Sequence, residues 1–569
     1  MATVLDAPTR STAVAAQAPP PRGTRPTEEA VPSANPWIVA ISVMLATFME
    51  VLDTTIASVA LPYIAGSMAA SNSEATWVLT TYLIANAVVL PASNWFGLKF
   101  GRKRFLMACV ALFIVSSFFC GAAPSLPFLL IARVLQGVGG GALQPMSQAI
   151  LLESFPPKKR GAAMALFGFG VVVAPVLGPT LGGWLTDAYS WRYAFYINIP
   201  VGLLAIFMIS RFVHDPPYIK HAKVGAFDNL GFGLLCLWTG SLQIILDKGQ
   251  EDDWFAASWI RWAAGLLAVS FVWFVVHSWR KRDPLVDLRV ITRNWNFGVS
   301  CILIFLLGFV LYIQVAMLPL FYQEVLGYTA LTAGIVVAPR GLGAMLGLPL
   351  VGFSSQKIDN RWLLFVGFVV FSVSSIWFSF VNLEISPRTL LAPIVAAGFG
   401  MSFLFVPIGN MGTGMLRNEE MGNATGIFNL LRNIGGSVGI SIAQTELIRR
   451  ASFHQSRLAA AVPQAGAVFQ QHTAGFGHFL GSHFGWAAGK PMALAAIYQL
   501  LQQQAMLLSF IDIFRWSALV ACVAAILGWL FHKLPYLGGD KRLELETRCA
   551  GFECSEEAKA KTSTVKIRN

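Results

Sequence analysis

Residues 362–380 read WLLFVGFVVFSVSSIWFSF, a stretch that contains no Asp, Glu, Lys, Arg or His. A helix needs about 20 apolar residues to cross the hydrocarbon layer of a membrane, so this stretch predicts a spanning helix. Residues 106–121, LMACVALFIVSSFFCG, form a second block of the same kind. Only 12% of the 569 residues are charged, whereas soluble domains carry about 25%. The sequence therefore predicts an all-α integral membrane protein.

Blocks of this kind recur along the chain and predict about fourteen transmembrane helices. We place them at 37–58, 76–97, 105–123, 127–150, 162–186, 194–213, 228–247, 259–279, 297–320, 331–353, 362–382, 390–412, 424–447 and 507–531. Gly137-Val-Gly139 in the fourth helix is echoed by Gly398-Phe-Gly400 in the twelfth. Two similar halves are common in transporters, so we expect two pseudo-symmetric six-helix bundles with a two-helix insert between them.

This organisation divides the chain into five parts. They are a disordered cytoplasmic tail at 1–36, an N-terminal bundle at 37–213, the insert and its linkers at 214–296, a C-terminal bundle at 297–533 that includes a long periplasmic loop at 448–506, and a second cytoplasmic tail at 534–569.

The formal net charge of +12 comes from short basic clusters that lie between apolar blocks rather than along one stripe. This placement argues against a nucleic-acid partner and follows the positive-inside rule. The basic connections include residues 99–104, Lys158, Lys220, Lys223, residues 280–282 and Arg417. With an even number of spans, both termini are expected in the cytoplasm.

Two acids lie inside the first spanning helix, where an ionised group is costly and is a functional hypothesis by default. Glu50 and Asp53 are three residues apart and share a helix face, which must turn toward the bundle or a wet cavity. Low-dielectric surroundings would let either carboxyl exchange a proton near neutral pH. The alternative is a structural acid that is hydrogen-bonded to a neighbouring helix.

The fourth helix carries a polar stripe that begins at Arg133. Helical spacing places Arg133, Gln136 and Gln144 on one face, and Gln148 follows one turn later. Such a stripe predicts a lined substrate pathway, with Arg133 paired to an acid of the first helix. Alternatively, Arg133 anchors a packing helix.

Arg340 and Arg432 in the C-terminal half are candidates for binding an anionic substrate, although packing or lipid contact explains them equally well.

The fifth helix contains Gly178-Pro179 and Gly182-Gly183. Small residues four apart let another backbone approach closely, and proline bends the helix. A rocking transporter needs such a seam, but any helical bundle can use one.

The predicted loop at 448–506 holds His454, His472, His478 and His483. Their spacing in a Gly-rich stretch without carboxylates is a weak signal for a metal site. A solvated loop that contacts a partner or shapes an exit explains it better.

Together these motifs resemble the major facilitator superfamily, and within it the fourteen-span drug:proton antiporters of the EmrB type. The resemblance is carried by Leu52-Asp53-Thr54-Thr55, by Arg133 with Gln136-Gly137, by Gly178-Pro179, by residues 191–202 and by residues 429–437. Gly101 and Arg102 fit the motif loop after the second helix, but Leu98 stands where that motif normally has an acid.

The resemblance implies export of hydrophobic or amphipathic small molecules across the inner membrane, driven by the proton gradient and without a cofactor. Asp53 would be the leading proton carrier and Arg133 would be coupled to it. Related exporters work with a periplasmic adaptor and an outer-membrane channel, which the 448–506 loop could contact.

Three other classes of protein are alternatives to the exporter. An uptake symporter of the same fold is the nearest alternative. A membrane-bound enzyme would need a nucleophile, base or metal cluster, and none is evident in the spans. A membrane sensor would not need buried Glu50, Asp53 and Arg133.

Overall fold

The computed structural model describes residues 35–532, apart from 157–158, 216–224, 356, 387, 415, 417–419, 462–465 and 485. Within these residues every regular element is a helix. The terminal tails lie almost wholly outside the described residues, and so do Lys158, Lys220, Lys223 and Arg417 of the basic connections.

Nineteen α-helices follow one another in the described part of the chain. They are α1 Pro36–Ser67, α2 Asn72–Phe100, α3 Arg102–Gly121, α4 Leu126–Gly140, α5 Leu143–Ser154, α6 Arg160–Ala188, α7 Tyr193–Tyr196, α8 Asn198–Phe212, α9 Asn229–Lys248, α10 Ser258–Arg280, α11 Arg289–Arg293, α12 Trp295–Glu324, α13 Ala330–Val337, α14 Pro339–Ser354, α15 Asn360–Trp377, α16 Leu391–Thr413, α17 Met421–Ala461, α18 Ala467–Phe484 and α19 Trp486–Leu527.

Thirteen segments of the described chain are helical, long and apolar enough to cross a membrane. The remaining predicted helix, at 424–447, lies within α17, where polar residues such as Asn429 and Arg432 interrupt the apolar sequence. It still packs along α12, because Gly435 and Gly439 approach the backbone of that helix closely. The prediction of an all-α membrane fold with about fourteen spans is confirmed.

We call the end of the bundle at which α1 begins the near end, and the opposite end the far end.

The glycine repeat of the sequence marks two equivalent helix contacts. A methyl group at Gly139 would lie 2.9 Å from the Cys109 carbonyl oxygen on α3, and one at Gly400 would lie 3.0 Å from the Gly367 carbonyl oxygen on α15. Gly137 likewise meets the Tyr82 carbonyl oxygen on α2, as Gly398 meets the Arg340 carbonyl oxygen on α14. Thus α4 packs on α2 and α3 as α16 packs on α14 and α15, and only glycine allows backbones to approach this closely.

The first helix of the insert contacts both halves of the molecule. On α9, Gln243 accepts a hydrogen bond from the Ser437 hydroxyl at 3.0 Å, and the Leu246 carbonyl accepts one from Ser441 at 2.8 Å. Lys248 at the end of α9 donates to the Thr76 hydroxyl of α2 at 2.9 Å. The second insert helix, α10, packs on α9 through Trp238 and leaves most of its apolar surface exposed, as a lipid-facing helix does.

Asp228 joins the insert to its linker at the near end. Its carboxylate caps α9 through the Gly231 amide at 3.0 Å and also accepts from Lys281 at 2.8 Å and the Leu285 amide at 3.3 Å. His277 lies 2.9 Å away. Burial by itself would raise the pKa of Asp228, but the hydrogen bonds from Lys281 and its neighbours lower that pKa to about 2.

The predicted loop at 448–506 is wrong as a description of this segment, because most of it is helical. Helix α17 continues to Ala461, α18 spans Ala467–Phe484, and α19 begins at Trp486. Both α17 and α18 pack against α19. The segment was assigned to a loop because its Gly, Gln and His residues lower its hydropathy, although they do not prevent a helix outside the membrane.

We expect Gly398→Ala to destabilise the protein, because its methyl group would overlap the Arg340 carbonyl oxygen. Overpacking of this kind costs about 1–3 kcal/mol. Thermal unfolding of the purified protein, followed by size-exclusion chromatography, measures the effect. Gly265→Ala on α10 is the matched control, since no atom lies within 4 Å of the added methyl group. Equal unfolding temperatures for the two variants would contradict the helix contact described here.

We expect the Asp228 contacts to stabilise the protein fully above pH 4 and to lose their effect as the pH falls toward 2. The pKa of this carboxyl is lowered from 3.8 to about 2, so acid favours the unfolded chain, which binds the proton more readily. The unfolding temperatures of wild type and Asp228→Asn, compared from pH 7 to pH 3, test this. Their difference should stay constant to about pH 4 and then shrink. A difference that grows with acid would refute the assignment.

Candidate functional site

Glu50 and Asp53 both face the interior of the bundle near the middle of α1. Their exposed fractions are 4% and 1%, and both belong to the face that the helical spacing predicts. Ionised groups at this depth require partners, since water is not available to solvate them. Each acid has its own set of partners.

Asp53 forms an ion pair with Arg133, and neither side chain is exposed to solvent. The Nη1 atom of Arg133 lies 2.7 Å from Oδ2 of Asp53, and its Nε atom donates to the Val78 carbonyl oxygen at 2.9 Å. The guanidinium also lies 4.3 Å from the centre of the Tyr82 ring. The pair that the sequence proposed between the fourth and first helices is therefore present.

Three polar side chains complete the surroundings of Asp53. Gln136 donates to Oδ1 of Asp53 at 2.9 Å, and Asn198 of α8 donates to the same oxygen at 2.6 Å. Both amides also donate to the Ser117 hydroxyl of α3, at 3.1 and 3.0 Å. Four helices thus converge on one carboxylate, and Gln136 belongs to this cluster rather than to the cavity described below.

Sequence reasoning missed Ser117 and Asn198 as site residues. The signal available was modest: Asn198 is an amide inside an otherwise apolar block, and Ser117 is one of two serines in α3. Polar residues of this size often satisfy backbone groups in membrane helices, so residue type alone did not separate them from packing residues.

Glu50 is bound to groups of α2 and α5 instead. Asn86 donates to Oε1 of Glu50 at 3.1 Å, and the Tyr82 hydroxyl lies 3.5 Å from the same atom. Gln144 donates to Oε2 through its amide nitrogen. The amide oxygen of Gln144 accepts a hydrogen bond from Arg432 on α17. Glu50 in the N-terminal half is therefore linked to a guanidinium of the C-terminal half through one glutamine.

A narrow cavity lies beside this link, between the two halves. It is lined by Gln148, Ile304, Phe405, Gly409, Phe428, Asn429 and Arg432. Gln148 accepts a hydrogen bond from Asn429 at 2.9 Å across the interface. The empty space, including the part open to solvent, is about 250 Å³.

Arg340 lies apart from Arg432, inside the C-terminal half. Its Nη2 atom is 3.2 Å from the Gln314 amide oxygen and 3.0 Å from the Met401 sulfur. Its Nη1 atom has no hydrogen-bond partner among the described residues, although the side chain is only 2% exposed. The predicted substrate-pathway residues are thus divided among three places: the cavity (Gln148 and Arg432) with Gln144 bonded to Arg432 beside it, the Asp53 cluster (Gln136) and this isolated position.

The glycine motif of α6 forms a close seam with both halves. A methyl group at Gly178 would overlap Thr55, and one at Gly182 would lie 3.2 Å from the Ile56 Cα atom, both on α1. On the other side of α6, a methyl group at Gly183 would lie 3.5 Å from the Leu331 backbone of α13. The carbonyl carbon of Pro179 would lie 3.2 Å from a methyl group at Gly334, also on α13. Helix α6 therefore contacts α1 closely on one side and α13 of the C-terminal half on the other.

The motif loop at Gly101 and Arg102 obtains its acids from elsewhere in the chain. Gly101 has a φ of +88°, a conformation that favours glycine. Arg102 forms an ion pair with Glu153 at 2.7 Å, and the Lys103 amide donates to Asp215 at 2.8 Å. Leu98 therefore does not leave the loop without acidic partners. Sequence reasoning missed Glu153 and Asp215, which lie about 50 and 110 residues away and meet the loop only through folding.

The four histidines of the far-end segment are not gathered into a metal site in the described structure. His454 lies 2.9 Å from Asp512, and His483 contacts the Phe479 carbonyl oxygen at 3.0 Å. No group of three or more His, Cys, Asp or Glu side chains suited to a metal occurs among the described residues.

Comparisons with known proteins show the family of the chain. A family model described as Major Facilitator Superfamily matches residues 43–440. Multidrug export protein EmrB of Haemophilus influenzae is 35% identical over 511 residues, covering 88% of this chain and 96% of that protein. Fatty acid resistance protein FarB of Neisseria gonorrhoeae is 34% identical over 512 residues, covering 89% and 98%.

Among solved structures, the proton:xylose symporter XylE is similar in fold. Its TM-score is 0.54 at 14% sequence identity, and the match covers 87% of this chain and 95% of that one. A likeness at this identity concerns the fold alone and does not distinguish import from export.

We expect Arg133→Met to destabilise the protein more than the double variant Asp53→Asn/Arg133→Met does. The single change leaves a buried carboxylate without its guanidinium, which costs about 3–5 kcal/mol, whereas the double change removes both charges. Unfolding temperatures of the purified proteins measure this difference, with Arg261→Met, an exposed arginine of α10, as control. A double variant less stable than Arg133→Met would show that the pair is not held by charge.

Proposed function

This chain belongs to the Major Facilitator Superfamily, and from that premise we propose that it exports amphipathic small molecules, including drugs, in exchange for protons. The observation that carries the proposal is the Asp53–Arg133 pair, a carboxyl group and a guanidinium that are both fully buried near the middle of the first helix. Relatives that match almost the whole chain are named for multidrug export and for fatty acid resistance, which supports this choice of substrates.

Proton exchange at Asp53 is the driving step of the proposal. A proton on Asp53 removes its charge, which weakens the charge-assisted hydrogen bonds from Arg133, Gln136 and Asn198 that hold α1, α4 and α8 together. The helix α1 then shifts along its seam with Gly178 and Gly182 of α6. One proton moving down a potential of 100 mV supplies about 2.3 kcal/mol for this cycle.

The substrate site of the proposal is the cavity between the halves. Ile304, Phe405 and Phe428 offer apolar surface, while Gln148, Asn429 and Arg432 offer polar groups. This combination suits amphipathic molecules. The two halves are in direct contact at the near end, where Gly422 of α17 packs on Asn94 of α2, and at the far end, where α6 packs on α13. Rocking of the two halves opens it to alternate sides.

The proposal also assigns sides and partners. The near end faces the cytoplasm, so both termini are cytoplasmic and the basic connections follow the positive-inside rule. The chain spans the inner membrane, requires no cofactor beyond the proton gradient, and is not an enzyme. The helical segment at 448–506 then stands in the periplasm, where exposed apolar residues such as Phe476, Phe479 and Tyr498 suit contact with an adaptor of an outer-membrane channel.

We expect Asp53→Asn to reduce gradient-driven transport of a fluorescent amphiphile in inverted membrane vesicles by roughly tenfold or more. The amide cannot carry the proton that drives the exchange. Accumulation is measured with and without a pH gradient, together with the proton flux that substrate addition causes. Asp252→Asn, in the exposed connection between α9 and α10, is the matched control and should transport as wild type does.

Three outcomes would count against this proposal. Full transport by Asp53→Asn would make Asp53 structural, and Glu50 would become the proton carrier. Transport by wild type that ignores the pH gradient would remove proton coupling. Movement of substrate down the proton gradient, in the same direction as the protons, would identify an uptake symporter of the same fold.

A further inference from the structure

The charges buried near the middle of the bundle do not balance. In the described chain, the buried acidic and basic side chains away from the ends of the predicted spans are two acids, Glu50 and Asp53, and three arginines, Arg133, Arg340 and Arg432. Arg133 is paired with Asp53, and Arg432 is linked to Glu50 through Gln144. One positive charge is left over, and it lies on Arg340. An arginine stays protonated in proteins, so this charge cannot be removed by losing a proton.

We propose that Arg340 is the binding site for the anionic group of the substrate, a monovalent carboxylate or similar group on an amphipathic molecule. This inference rests on the proposed export function and names the substrate class that the function leaves open. A bound monoanion supplies the missing negative charge, so the loaded transporter carries no net charge at mid-depth.

The surroundings of Arg340 are polar but contain no acid. Its described hydrogen-bond partners are the Gln314 amide oxygen and the Met401 sulfur, and Nη1 is left without a partner. The Gln314 amide nitrogen donates to Ser375 at 2.7 Å. An unpaired guanidinium in such a place is strongly unfavourable, and a ligand that binds to it recovers that free energy.

The equivalent position in the N-terminal half contains a carboxyl group of the protein itself, that of Asp53. Ser117 and Ser375 are equivalent, because each lies four residues after the phenylalanine that Gly139 or Gly400 contacts. Ser117 is bonded to the amides that hold Asp53, whereas Ser375 is bonded to Gln314, a neutral side chain. At this place the C-terminal half thus keeps the polar framework and a cation, but none of the described partners of Arg340 is a carboxylate, so the protein leaves this charge without a counterion.

The depth of Arg340 identifies the source of the anion. It lies ten residues after Ala330, or about 15 Å along the helix at 1.5 Å per residue, which is near the centre of a 30 Å hydrocarbon layer. A phospholipid headgroup remains at the surface of that layer. In this proposal the substrate enters from the side of the cavity, since Met401, which contacts Arg340, lies one helical turn from Phe405 of the cavity wall. Its anionic group binds Arg340 while its apolar body remains along α16.

Binding of two matched probes to the purified full-length protein in nanodiscs tests the site. The probes are dansyl-undecanoic acid and its neutral amide, which share the same apolar body. We expect Arg340→Gln to weaken binding of the acid by about tenfold or more, because a desolvated charge pair is lost, and to leave binding of the amide within about twofold. Arg340→Lys should restore part of the affinity for the acid, and Arg261→Gln is the control for removing an exposed arginine.

Gln314→Glu provides a second test that does not depend on losing Arg340. The new carboxylate differs little in shape and supplies the missing charge from within the protein. We expect it to raise the unfolding temperature and to weaken binding of the acid but not of the amide. Acid binding by Gln314→Glu equal to that of wild type overturns the proposal, and so does an equal loss of acid and amide binding in Arg340→Gln.

The bound anion could be a small inorganic ion or the anionic group of the substrate. Titration of the acid-bound protein with chloride, with gluconate as the control salt, separates these two sources. Displacement of the acid by chloride assigns Arg340 to any small anion, whereas no displacement assigns it to the substrate alone. These binding measurements require no gradient, so they remain informative if vesicle transport fails. Normal gradient-driven export together with acid binding that is insensitive to Arg340→Gln and Gln314→Glu overturns this inference and leaves the proposed function standing.

Discussion

The burial of ionised side chains where no water can solvate them is the constraint on which this structure depends. Asp53 must be satisfied by protein groups, and doing so brings Arg133, Gln136 and Asn198 to one point. The relative positions of α1, α3, α4 and α8 follow from that requirement as much as from apolar packing, which in a membrane discriminates poorly between neighbours. A charge that is expensive to bury thus also specifies which helices meet.

The two halves share a backbone framework but use it differently. Paired glycines let α4 and α16 approach their neighbours in the same way, and Ser117 and Ser375 occupy equivalent positions. The N-terminal half places an ion pair in this framework, and the C-terminal half places a neutral amide beside a lone arginine. The Gln144 amide links the two halves by hydrogen bonds, because it donates to Glu50 on one side and accepts from Arg432 on the other. Symmetry of the fold therefore coexists with asymmetry of charge.

Sequence reasoning established the fold class and the position of most helices, because apolar length and charge placement are local properties of a chain. It also identified Glu50 and Asp53 as inward-facing and paired Arg133 with the first helix. It did not find Asn198, Ser117, Glu153 or Asp215, whose roles depend on contacts between distant segments. It failed at 448–506 because hydropathy reports membrane burial and not helicity. The division of Gln136, Gln144 and Arg340 among three places required the packed structure.

The length of α17 has a mechanical consequence. Its 41 residues form one uninterrupted helix of about 60 Å, twice the thickness of the hydrocarbon layer. The same helix carries Arg432 at the cavity and packs against α19 beyond the membrane. In the proposed rocking motion a helix of this length acts as a lever, so a small tilt of the C-terminal half becomes a larger displacement at the outer tip. The stage of the transport cycle is thereby displayed as a displacement on the molecular surface, far from where the substrate binds.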